Sequence, residues 1–86
     1  MRADGRLLVM ITTPDFRARL GAQLRRARRL VGLRQSDVAE ALTPRVHLAR
    51  ISEWERGHAA PSVEQLAQLA TVLDLSLDEL LVRGSL

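Results

Sequence analysis

Arg50 and Glu53 lie three residues apart, within a stretch whose apolar residues Leu48, Ile51 and Trp54 also recur every three. That spacing predicts a helix with Leu48, Ile51 and Trp54 turned inward and Ala49, Arg50, Ser52 and Glu53 on the opposite face. An outward arginine on a helix suits the DNA major groove, where every base pair displays its own donors and acceptors. The Arg50 fork matches O6 and N7 of a guanine, a contact that gives ~1–3 kcal/mol of discrimination. Ala49 fits a thymine methyl. Glu53 has several open roles: orienting the Arg50 fork, accepting from cytosine, pairing with Arg50 as a surface acid, or repelling phosphate.

Arg34, Arg45 and Arg56 flank this segment and read as phosphate contacts, which fix register and carry no sequence information. His47 and His58 read either as phosphate contacts or as exposed residues without a role. Enzymatic chemistry finds little support. Two histidines and no cysteine make no convincing metal set, and no cofactor is expected. Glu53 and Glu55, like Asp78 and Glu79, are ordinary helix acids, and no glycine-rich phosphate loop is present. The only aromatics, Phe16 and Trp54, fall on core stripes, which leaves no platform for stacking single-stranded bases.

The charge is unevenly placed. Residues 1–50 hold eleven Arg against four acids, a net +7, and residues 51–86 hold two Arg against six acids, a net −4. One basic half and one acidic half imply a side facing a polyanion and a side turned away from it. Every basic residue is Arg, whose planar fork suits phosphate and guanine, although codon usage explains the missing Lys more simply. The 86 residues give room for one small domain, helped by dimerisation. No apolar run is long enough to span a bilayer, and Leu7 to Ile11 is too short for a signal-peptide core; a cytoplasmic protein is expected.

Residues 1–12 form an extension, either a short strand at Leu7 to Ile11 or a disordered tail, ahead of a domain at 13–86. Thr13-Pro14-Asp15 starts a helix, with Thr as cap, Pro at the first position and Asp near the positive end of the dipole. Phe16, Leu20, Leu24, Ala27 and Val31 form its inner face, and Gly32 ends it. A short second helix, about Gln35 to Leu42, turns Val38, Ala39 and Leu42 inward. After the Trp54 helix, closed by Gly57, Ser62 and Gln65 form a capping box for a fourth helix that buries Val63, Leu66, Leu69, Ala70 and Leu73. Ser76 and Glu79 open a fifth with Leu77, Leu80 and Leu81. Five helices with short connections give an all-α fold.

The ordered fragments GLRQSDVAEAL, ISEWERG and PSVEQLAQLATVLDLSLDELL resemble the Cro/phage-repressor (Xre-type) family of helix-turn-helix domains over roughly residues 14–82. The resemblance implies a five-helix phage-repressor-like domain whose third helix, about His47 to Glu55, is the recognition helix. It implies base contacts from Leu48, Ala49, Arg50 and Glu53. Leu48 stays open between that role and the core position its spacing favours. Gln35 matches the residue that bonds a backbone phosphate and braces the recognition helix, Ser52 joins the phosphate contacts, and Arg56-Gly57-His58 matches the turn that holds the backbone. Arg28 and Glu55 match a buried structural ion pair.

Two departures stand out. Arg34 occupies the cap position where Ser, Thr or Asn is usual. Thr43-Pro44-Arg45-Val46 replaces a tighter turn, so that either the turn is expanded around a buried Val46 or Thr43 caps a helix starting at Pro44. The expected function is a transcriptional regulator, a repressor acting as a homodimer on palindromic double-stranded DNA, with Leu75, Leu80, Val82 and Leu86 at the dimer interface. An antitoxin with a toxin partner, a restriction–modification controller, and a protein-interaction module without DNA readout are the alternatives.

Overall fold

The computed structural model describes residues 13–80. The proposed strand at Leu7 to Ile11, and Leu81, Val82 and Leu86, lie outside the described residues. The described chain is all-helical: α1 (Pro14–Leu30), α2 (Gln35–Ala41), α3 (Leu48–Glu55), α4 (Val63–Val72) and α5, of which residues 77–80 are described.

The helix starts follow local chemistry. Thr13 Oγ1 accepts the Phe16 amide at 3.2 Å, with Pro14 in the first turn. Ser62 and Gln65 cap α4 reciprocally, at 3.1 and 2.8 Å. Ser76 Oγ accepts the Glu79 amide at 3.0 Å at the head of α5. The helix ends share one device. Gly32, Gly57 and Asp74 follow the caps of α1, α3 and α4 with positive φ, and each end carries the paired reverse hydrogen bonds of a Schellman turn.

At α2 an acid compensates for the missing cap. The Arg34 backbone amide donates to Asp37 Oδ2 at 2.8 Å, and the Arg34 side chain pairs with the same carboxylate at 3.3 Å. The amide hydrogen bond first, and the guanidinium second, hold the Asp37 carboxyl below the usual carboxylate range. A folded-state pKa below the unfolded one contributes stability that is full above the unfolded value, about 3.9, and is lost as pH falls through the folded value. Asp37→Asn is therefore expected to melt below wild type at neutral pH and to converge with it in strong acid. Melting curves followed by circular dichroism from about pH 7 to about pH 2 test this; a gap that stays constant would remove the carboxylate's charge from the cap.

The core lies where α1, α2, α3 and α4 meet and Leu80 closes it. Phe16, Leu20, Leu24 and Ala27 of α1 face Val38, Ala39 and Leu42, then Ile51 and Trp54, then Leu66, Leu69, Ala70 and Leu73. Val31 and Val63, expected inside, are 41% and 61% exposed, and Leu77 is 37% exposed. Val31 is the C-cap of α1, and Val63 and Leu77 are the first residues of α4 and α5. A helical side chain leans toward the N-terminus, so a first-turn residue projects past the end of its helix and past the core edge. Leu33 packs against the core where Val31 does not.

Leu80 corrects the expected dimer surface. It is 0% exposed, enclosed by its own chain, so it has no surface to offer a second subunit. Leu75 is half-buried and packs on the same core.

Candidate nucleic-acid interface

The turn between α2 and α3 is the expanded one. Thr43 does not cap a helix from Pro44; α3 starts at Leu48 with His47 as its cap. Val46 is half-buried against the core, and its amide donates to the Ala39 carbonyl at 3.2 Å. The Gln68 side chain on α4 grips the other end of the turn: the Thr43 amide donates to Gln68 Oε1 at 2.8 Å, and Gln68 Nε2 donates to the Thr43 carbonyl at 3.0 Å. This clamp had no local signal in the sequence, because its partners are 25 residues apart.

The start of α3 is set by His47, whose Nδ1 accepts the Ala49 amide at 3.1 Å. Ile51, Trp54 and Glu55 form the buried side of α3. Leu48, read from its spacing as core, is 46% exposed. The periodicity identified the right stripe, but Leu48 is the first residue of α3 and projects past its end, while Val46 packs against the core. Leu48, Ala49 and Arg50 consequently form a continuous exposed run. Arg50 Nη1 lies 3.7 Å from Glu53 Oε1, an ion pair with both side chains partly in solvent.

The far end of α3 is anchored by one hub that joins three helices. Arg28 on α1 donates through Nε to Glu55 Oε2 at 2.6 Å and through Nη2 to Glu55 Oε1 at 3.0 Å. Its remaining nitrogen, Nη1, reaches the Leu33 carbonyl at 2.9 Å. Gln35, first residue of α2, donates to Glu55 Oε1 at 3.1 Å. The hydrogen bonds to Glu55 raise the Arg28 pKa further, against the opposing effect of burial. The Arg56-Gly57-His58 turn then lies directly on α1. Gly57 has φ +75°, and a Cβ there would come 2.8 Å from the Ala18 Cα, so two separate demands require glycine.

The remaining candidates are distributed around this frame. Arg45, Arg56 and His58 are exposed, and Ser52 is half-buried with its carbonyl accepting from the Arg56 amide at 3.0 Å and from Arg56 Nε at 3.3 Å. Arg34 is exposed but shares its charge with Asp37. Asp37, the acid of the α2 cap, has a local signal in the sequence, an acid three residues after the cap position. Among the described residues, no group of three His, Cys, Asp or Glu could hold a metal ion, and no helix is long and apolar enough to cross a membrane.

The arrangement is therefore two helices at an angle fixed by an expanded turn, with the second held by a buried ion pair and its outer face free. A family model described as helix-turn-helix matches residues 24–80. Comparison with curated proteins and with solved structures found no match. A match over most of the chain, on top of this geometry, establishes that the chain belongs to the Cro/C1-type helix-turn-helix family of DNA-binding regulators.

Proposed function

We propose that the chain is a sequence-specific transcriptional regulator, a repressor that acts as a homodimer on a two-fold operator in cytoplasmic DNA. The observation that carries this is the asymmetry of α3: one face is fixed by Ile51, Trp54 and the Arg28–Glu55 pair, and the other presents Leu48, Ala49, Arg50 and Glu53 to solvent. A rigid helix with one free face is what major-groove docking requires. Arg50 reads guanine and Glu53 orients it. Gln35, Arg34, Arg45, His47, Ser52, Arg56 and His58 contact phosphates, with no cofactor needed.

One such helix reads few base pairs, which favours a pair of half-sites about one helical turn, ~34–36 Å, apart. With Leu80 enclosed, the second copy docks on the surface around Leu75, where Leu30 and Val31 stand exposed beside it at 77% and 41%.

Selection of bound duplexes from a random DNA pool tests the reading. A palindromic consensus is expected, and Arg50→Ala is expected to relax one guanine position per half-site by ~1–3 kcal/mol. Sequence-blind, salt-sensitive binding would reduce the basic face to a general polyanion surface.

The apolar pair Leu48 and Ala49 favours a second reading, a protein-interaction module or an antitoxin that engages a protein partner. A salt titration separates the two. DNA binding weakens steeply with log salt, and a leucine-driven interface does not.

A further inference from the structure

A single exposed leucine needs no explanation. Leu48 differs because several features of the fold combine to turn it outward. Its three-residue spacing to Ile51 and Trp54 puts it on the core stripe, yet it is 46% exposed, while Val46 packs against the core. Gln68 clamps Thr43 at 2.8 and 3.0 Å and so fixes the loop that carries Val46 inward. His47 Nδ1 caps the Ala49 amide and ties down the backbone at the same point. The product is two adjacent apolar side chains, Leu48 and Ala49, at the leading end of α3, immediately before Arg50.

On the floor of the major groove the apolar group is the C5-methyl of a pyrimidine. Thymine carries it, and 5-methylcytosine presents the same group at the same place. Polar atoms of the bases would be left unpaired against a leucine and an alanine, whereas a methyl loses nothing there. Resting on the DNA-binding reading above, we propose that Leu48 and Ala49 read pyrimidine C5-methyl groups next to the guanine read by Arg50, so that the half-site is recognised partly by its methyl pattern.

The test uses the full chain and the duplex enriched from the random pool. Each thymine of a half-site is replaced in turn by deoxyuridine, which removes the methyl and keeps every donor and acceptor. One or two positions adjacent to the Arg50 guanine are expected to lose about fourfold in affinity each, the effect of one buried methyl-sized group. Leu48→Ser is expected to abolish that sensitivity at one position while leaving the guanine requirement intact.

A second arm puts a cytosine–guanine pair at the same positions and compares cytosine with 5-methylcytosine there. A loss with deoxyuridine and no gain with 5-methylcytosine assigns the site to thymine. A gain of about fourfold with 5-methylcytosine assigns it to methylated cytosine as well. Equal affinity of the thymine and deoxyuridine forms, and of the cytosine and 5-methylcytosine forms, overturns the inference and leaves the regulator reading standing. Failure to enrich any duplex overturns the regulator reading itself.

Discussion

Glu55→Ala is expected to lower the free energy of unfolding by about 3–5 kcal/mol. The Glu55 carboxylate is 4% exposed and accepts three N–H groups, two from Arg28 and one from Gln35. Its removal leaves the Arg28 guanidinium, itself only 12% exposed, without its counter-charge. Arginine cannot escape by releasing its proton, so the cost of a desolvated cation falls on the fold. A domain of this size is stable by about 5–15 kcal/mol in all, so a large share is at stake.

Urea unfolding followed by the fluorescence of the buried Trp54 measures the loss. The double variant Arg28→Met with Glu55→Leu should recover most of it, since well-packed apolar residues often replace a buried pair at little cost. A Glu55→Ala protein within about 0.5 kcal/mol of wild type, the usual range for unremarkable surface sites, would show that the hub does not hold α3 to α1.

Gly21→Ala is the second large effect, and here local and tertiary chemistry oppose each other. Inside a helix, Ala is favoured over Gly by roughly 0.5–1 kcal/mol, and Gly21 lies within α1. By that rule the variant gains stability. A Cβ at Gly21, however, would meet the Trp54 carbonyl oxygen and would lie 2.6 Å from the Glu55 carbonyl oxygen. Both obstacles are backbone, so no side chain can rotate to relieve them; the C-terminal end of α3 must move off α1. Overpacking of this kind costs about 1–3 kcal/mol or more, enough to outweigh the propensity gain.

The variant is therefore expected to melt lower, by about 4–8 °C for each net kcal/mol in a domain of this size, and to bind the selected duplex less well because α3 has shifted. A higher melting temperature would mean that α1 and α3 do not approach as closely as the geometry indicates. The same displacement would disturb the Glu55 hub one residue beyond Trp54, so the effects of Gly21→Ala and Glu55→Ala should not add.

Both variants act on α3 from its buried side, opposite the face that carries Leu48, Ala49 and Arg50. Leu48→Ser and Arg50→Ala act from its exposed face and should leave stability nearly unchanged. The two groups divide the helix into a held side and a reading side, and stability and binding measured together distinguish them.

Features that depend on chemistry within about one helical turn were legible from the residues alone. Thr13 before Pro14, Ser62 with Gln65, and Ser76 before Glu79 mark three helix starts, because a hydroxyl reaches only the amides two or three residues ahead. The central stripes of Phe16, Leu20 and Leu24, and of Leu66, Leu69 and Leu73, were equally legible from their spacing. The resemblance to the helix-turn-helix family pointed to Arg28 and Glu55, which spacing alone could not have paired across 27 residues.

What happens at the helix ends depends on packing between segments. Val31, Leu48, Val63 and Leu77 sit on apolar stripes yet are exposed, each as a first or capping residue of its helix. Leu80, expected at a subunit boundary, is the most enclosed of the core residues. In the Thr43 to Val46 turn, Gln68 from another helix holds the Thr43 backbone, and α3 starts only at Leu48. Periodicity fixes which side of a helix faces the core, because that follows from the 100° step between residues. How far along the helix the core extends depends on where the neighbouring helices stop, and no residue carries that information about another segment.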